Sequence, residues 1–215
     1  TSHYNLISRK PIRRLEDLRD IKIRVTAGLT ADIFRELGAN PVAIAAAEIY
    51  PAFQRGIFDA VALSPSDIVA YRLHEIGLYF TQVDINVILL HYCLNRRTFD
   101  VLPDDLQAIF YRLLRIRSQM AVQNYYSGLG HERAMAALRE SGVEIFELEG
   151  DELVRWRKVV APLKERYIAQ YESEGLPARA VVDDMEMLAA EYADFTNEQI
   201  NERVTNSPIQ GIIDF

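Results

Sequence analysis

The chain has 215 residues, 49% of them hydrophobic and 26% charged, which is enough apolar material for the core of one large domain or two small ones. A net charge of -7 argues against a general nucleic-acid binder, because neutralising phosphates needs a positive surface. The single cysteine, Cys93, excludes an internal disulfide and any multi-thiolate zinc site, and the longest apolar run, INVILLHYCL, is too short and too polar to cross a bilayer.

The chain begins basic. Seven cations against three acids in the first 24 residues give a local charge of +4, read as a solvated face rather than as a partner site. Nothing at Thr1 has the pattern of a signal peptide. The first clear element is the stretch IKIRV. Strand alternation turns Ile21, Ile23 and Val25 toward a core, and Lys22 and Arg24 the other way. Arg24 then has two readings that local pattern leaves open: a solvated edge residue, or a cleft guanidinium aimed at an anion.

TAGLTADIFRELGANP reads as a loop and then a helix, with Thr30 as its cap, Asp32 in its first turn and Gly38 as its stop. PVAIA follows as a strand, AEIYPAFQRG as a short helix ended by Gly56, and IFDAVAL as another strand. Strand and helix in alternation predict a parallel sheet with helical crossovers. Ligands of such sheets bind beyond the carboxyl ends of the strands, where Arg24 and the segment Leu63 to Ser66 would lie.

Residues 87–94, VILLHYCL, read as a strand buried on both faces. From Pro103 a long amphipathic helix places Leu106, Ile109, Phe110, Leu113, Ile116 and Met120 on its apolar side, with Arg112, Arg115 and Arg117 on its wet side. Gly128 and Gly130 interrupt it, HERAMAALRESG forms a further helix, and VEIFEL alternates as a strand. Leu153, Trp156, Val160, Leu163 and Tyr167 mark a helix face kinked at Pro162. From Asp183 the chain is acidic and partly helical, and TNSPIQGIIDF reads as an irregular tail.

Few residues suggest catalysis. HERAM starts like a metalloprotease helix but has Met135 where the second histidine belongs. His91 and Cys93 read as a core pair. Asp183, Asp184 and Glu186 read as a solvated helix start rather than a metal site. No glycine-rich phosphate loop is present, and LSPSD lacks the glycines of a nucleophile elbow. Ser64 and Ser66 could donate to a ligand, although turn chemistry explains them as well.

Taken together, RKPIRRLEDLRDIKIRV, ELGANPVAIAAAEIYPAFQRGIFDAV and LNRRTFDVLPDDLQAI resemble the second half of TRAP-type solute-binding proteins, the receptors of tripartite ATP-independent periplasmic transporters. The match runs from about residue 8 to about residue 170. The resemblance implies an α/β, periplasmic-binding-protein-like lobe with flanking and C-terminal helices. It divides the chain into a ligand-binding lobe (1–86), a connecting strand and long helix of the first lobe (87–130), and a helix, return strand and C-terminal helices (131–215). It also implies a periplasmic receptor, not an enzyme, that captures a small monocarboxylate or dicarboxylate and is read by TRAP membrane subunits. Arg24 matches the family's carboxylate clamp, gripping through two parallel hydrogen bonds; internal pairing of Arg24 with Glu48 or Asp59 is the competing reading.

Departures from the family pattern shape further expectations. Ala62 and Leu63 stand where some members carry Asn, or Glu followed by Trp, so no cofactor and no bridging metal are expected. The wall beside the clamp is then apolar at Leu63, with Ser64 or Ser66 as the polar contact and Asn86 near the hinge, and a ligand with an aliphatic portion is favoured over a polyhydroxylated one. The stretch matching the family's first lobe is not among these residues. The strand at 87–94 would then expose an edge, with three outcomes: a fragment whose partner segment is separate, a homo-oligomer that covers the edge, or a rearranged, non-functional remnant. The second functional reading is a ligand-free or sensory interaction module on the same scaffold.

Overall fold

The computed structural model describes residues 3–87, 93–126 and 128–206. In chain order its elements are β1 (Asn5–Ser8), β2 (Lys22–Val25), α1 (Leu29–Glu36), β3 (Asn40–Ala43), α2 (Ile49–Gln54), β4 (Ala60–Leu63), α3 (Pro65–Ala70), β5 (Tyr79–Gln82), α4 (Arg96–Asp100) and α5 (Asp104–Ala121). A π-helical turn, Val122–Tyr126, leads into α6 (Gly128–Glu140). Then come β6 (Glu144–Glu147), α7 (Gly150–Val160), α8 (Pro162–Ser173), α9 (Ala178–Tyr192) and α10 (Asn197–Asn206). Among the described residues no helix is long and apolar enough to cross a membrane.

The strands form one sheet in the order β3-β2-β4-β1-β5-β6. β2 runs parallel to β3 and β4, and β5 parallel to β6. The sheet is mixed rather than wholly parallel, because β1 lies between β4 and β5, antiparallel to both. NLIS carries no alternation that marks a strand, since all four of its residues are buried. Its polar members are satisfied internally: Asn5 Oδ1 accepts the Val83 and Asp84 amides at 2.8 and 3.0 Å, and the Ser8 hydroxyl donates to the Lys10 carbonyl at 2.7 Å. Buried polar groups are tolerated on those terms.

Helices pack on the sheet around a core that includes Phe34, Phe53, Phe58, Phe80 and Trp156. Phe53 and Phe58 stack with centroids 5.5 Å apart. Met135, the residue that broke the metal pattern, is buried in α6. Pro162 divides what reads as one kinked helix into α7 and α8. The acidic stretch from Asp183 is helical, and the tail beyond Asn206 lies outside the described residues.

Three further expectations need correction. Helix α1 is capped by Gly28, at φ 83°, not by Thr30, which lies inside the helix. Only the ends of segment 87–94 are described. Val87 bridges His3, while Cys93 and Leu94 are exposed, so that end of the segment is not buried on both faces; residues 88–92, His91 included, lie outside the described residues. Finally, the apolar side of α5 is not buried: Leu106, Ile109, Leu113 and Met120 are all exposed, although α10 lies against the helix.

Candidate functional site

The carboxyl ends of β2 and β4 place Arg24 at the mouth of the parallel strands, in register with Val42 on β3 and Val61 on β4. Its side chain is not on a wet edge; Arg24 is only 5% exposed. Nε and Nη2 both donate to the Ile44 carbonyl, at 3.2 and 2.9 Å. That acceptor fixes one edge of the planar guanidinium and leaves the Nη1/Nη2 end of the fork without a hydrogen-bond partner among the described residues. The free end has the spacing to hold two carboxylate oxygens side by side.

Burial pushes the Arg24 pKa below its ordinary value, and the Tyr4, Tyr71 and Asp67 side chains oppose that shift, Tyr4 most strongly. The group nevertheless stays cationic, since a guanidinium does not lose its proton under ordinary conditions. Arg24 makes no ion pair among the described residues, and pairing with Glu48 or Asp59 is not observed. Asp59 accepts instead from the Lys22 amide at 3.1 Å and lies 3.7 Å from Lys10. A buried cation without an anion is costly, and a ligand carboxylate would supply the missing charge.

The two serines of the LSPSD segment are held by their own chain. Ser64 caps α3, accepting the Asp67 amide at 3.1 Å and donating to Asp67 Oδ2 at 2.6 Å. The Ser66 hydroxyl donates to the Tyr125 carbonyl of the π-helical turn, and the Tyr125 hydroxyl donates to Asp67 Oδ1 at 3.2 Å. These bonds fasten α3 to the end of the long helix. Leu63 is buried at the end of β4, opposite Asn5 of β1. Asn86 accepts the Tyr4 amide through its backbone, and its side chain donates to Thr30 Oγ1 at 3.1 Å. Asn86 also lines a separate apolar groove of about 730 Å³ between α1, α8 and α9, whose walls do not include Arg24.

Three groups escaped the sequence reading. Tyr4, just before β1, is buried, and its phenol pKa is raised by that burial and by Asp67. Tyr71, at the end of α3, is the second phenol within electrostatic reach of Arg24. Thr26, two residues beyond Arg24, has its Oγ1 buried beside the Tyr4 phenol. The i, i+2 relation of Arg24 and Thr26 could have pointed to Thr26, whereas nothing in the pattern marks Tyr4.

A mixed sheet flanked by helices, with an unpaired guanidinium at the carboxyl ends of its parallel strands, defines a periplasmic-binding-protein-like lobe. Residues 2–170 match the family model described as bacterial extracellular solute-binding protein, family 7, and the chain belongs to that family. It is 24% identical over 174 residues to the C4-dicarboxylate-binding periplasmic protein DctP of Rhodobacter capsulatus, covering 78% of this chain and 50% of that protein. It is 33% identical over 106 residues to a solute-binding protein of a Sulfitobacter species, covering 49% of this chain and 32% of the relative. Thus the chain spans half or less of these curated relatives. Among solved structures, a TRAP periplasmic solute-binding protein of Desulfovibrio salexigens with bound orotic acid superposes with a TM-score of 0.70 at 19% identity, covering 94% of this chain and 60% of that one. A marine metagenome TRAP protein specific for aromatic acids gives 0.76 at 18% identity, covering 88% and 61%. These structural likenesses concern the fold. The family is one of transport receptors, not of enzymes.

Proposed function

We propose that this chain forms the ligand-gripping lobe of a TRAP-type receptor and captures a small organic acid through Arg24. The observation that carries the reading is a buried guanidinium with one edge fixed on the Ile44 carbonyl and its other end without a hydrogen-bonded anion among the described residues. The acid places its carboxylate on that free end, while Leu63 contributes to an apolar wall and Tyr4, Tyr71 and Thr26 border the polar side. Ser64 and Ser66 act chiefly by positioning α3, and Asn86 by anchoring the segment beside Tyr4. In this reading the receptor works in the periplasm and hands its ligand to TRAP membrane subunits. Its relatives support the ligand class: one is named for C4-dicarboxylates, and a neighbouring structure holds orotic acid.

The test is a thermal-shift screen of small monocarboxylates and dicarboxylates, since a ligand that binds the native state raises its apparent stability. The proposal expects at least one acid to raise the melting temperature of the wild type and to leave that of Arg24→Lys unmoved. An acid that shifts both proteins equally refutes the role of Arg24. A wild type that responds to no acid favours the ligand-free or sensory module.

A further inference from the structure

An acid is built into the neighbourhood of Arg24. β4 runs beside β2 with Val61 in register with Arg24, and it passes through Leu63 and the Ser64 cap directly into α3. The first turn of α3, which contains Asp67, therefore stands at the same carboxyl end of the sheet as the guanidinium. From there Asp67 acts electrostatically on both Arg24 and Tyr4. Its two oxygens are taken by neutral donors, the Ser64 hydroxyl at 2.6 Å and the Tyr125 hydroxyl at 3.2 Å. These bonds fix the carboxylate in place without supplying a countercharge, and Asp67 makes no salt bridge among the described residues. Phenols are uncharged near neutral pH, so of the three side chains that act on Arg24, Asp67 is the one that brings a fixed charge. No second cation acts on Arg24 among the described residues.

We propose that Asp67 makes the Arg24 site selective for monocarboxylates, acids whose remaining portion carries no second negative charge. This selectivity rests on Arg24 as the grip and narrows the class of ligand it takes. A first carboxylate on the free end of the guanidinium gains two charge-assisted hydrogen bonds. A second one finds no cation left. In a short diacid it lies only a few ångströms from the first, so whichever way the carbon chain runs it stays within the fields of both Arg24 and Asp67. Attraction to the one and repulsion by the other largely cancel, and its desolvation cost goes unmet. An uncharged portion avoids that cost, in keeping with the buried Leu63 at the end of β4. Without the charge of Asp67 the balance tips: like charges about 8 Å apart at an effective dielectric constant of about 20 repel enough to change a dissociation constant roughly 30-fold.

Three pairs of acids, each exchanging a methyl group for a second carboxylate, test this by calorimetry on the intact chain: butyrate with succinate, pentanoate with glutarate, and 2-methylbenzoate with phthalate. Circular dichroism confirms that each variant keeps its helices. The wild type is expected to bind at least one monocarboxylate at least about tenfold tighter than its diacid counterpart. Asp67→Asn, which keeps an oxygen to accept a hydroxyl, is expected to shrink that ratio at least about fivefold. Tyr125→Phe breaks a bond to the same carboxylate but leaves its charge, and is expected to lower stability while keeping the ratio. A wild type that binds a diacid as tightly as its counterpart, or an Asp67→Asn ratio equal to that of the wild type, overturns the proposal; loss of binding in Arg24→Lys would still uphold the grip. A Tyr125→Phe variant that moves the ratio as far as Asp67→Asn also refutes it, assigning the effect to the seating of α3 instead of to charge. Silence from all six acids overturns it as well, and the grip is then judged by the wider screen.

Discussion

Replacing Arg24 by lysine keeps a cation at the carboxyl end of β2 but removes the fork. Arginine can serve the Ile44 carbonyl with one edge and two carboxylate oxygens with the other, whereas lysine offers a single ammonium to both. The exchange therefore forfeits at least one charge-assisted hydrogen bond to the ligand. Such bonds contribute about 1.5 to 3 kcal/mol each, so the dissociation constant should rise roughly 10- to 150-fold. Arg24→Ala loses both bonds and also leaves the Ile44 carbonyl without its donor, at a further cost to folding of about 1 to 3 kcal/mol. Isothermal titration calorimetry with the acid found by thermal shift measures the affinities, and urea unfolding of the ligand-free variants measures the stabilities. Unchanged affinity in Arg24→Lys would refute the grip. An Arg24→Ala variant that loses stability yet keeps its affinity would assign the side chain to fastening the loop after β3.

Other predictions concern the scaffold. A Cβ on Gly77 would lie 2.4 Å from Ile7 Cγ1 and 2.8 Å from Cδ1 in the fully buried centre of β1; Gly77→Ala is expected to destabilise by about 1 to 3 kcal/mol, and an unchanged urea midpoint would contradict that. Glu152 Oε1 accepts the Leu15 amide at 2.6 Å and the Trp156 indole at 3.1 Å, tying α7 to the segment before β2. Glu152→Ala should lower stability by roughly 1 to 3 kcal/mol through the two stranded donors, and Trp156 fluorescence should report the loosening; wild-type stability and emission would count against the tie. Tyr167 donates to Asp32 across the α8–α1 contact, and burial followed by that bond raises its pKa to about 12. Folding thus favours the protonated phenol. The advantage of wild type over Tyr167→Phe should be complete below pH about 10 and disappear as the pH rises through about 12. A stability difference that holds steady across that alkaline range would exclude the mechanism.

β2, β3 and β4 were legible because their apolar stretches alternate with helices that have strong stops: Gly38 and Gly56 follow α1 and α2 at positive φ, as their positions in the sequence implied. β1 and β5 were not. In NLIS and YFTQ, buried polar side chains take the places where a strand pattern expects apolar ones: Asn5 and Ser8 are reconciled with burial by their own hydrogen bonds, and Thr81 by donating to the Ile12 carbonyl at 2.8 Å. Periodicity cannot anticipate such partners, which for Asn5 and Thr81 come from distant parts of the chain. The same limit applies at the candidate site. The KIRV strand made Arg24 conspicuous, but its orienting partner is the main-chain oxygen of Ile44, and a backbone acceptor leaves no mark in the side-chain pattern. The apolar stripe of α5 was legible as a stripe, although spacing alone could not show whether anything covers it.

The central place of β1 governs the order in which this molecule can assemble. Its four residues bridge positions 60–63 on one side and 79–81 on the other, so this strand must wait for segments more than fifty positions later before it finds either neighbour. Until then β4 and β5 belong to separate ribbons, each with a raw flank. Closing such long loops is slow compared with forming the local helices, which makes the insertion of β1 the expected late, rate-limiting event and the moment at which the half-formed sheet is most exposed to wrong pairings.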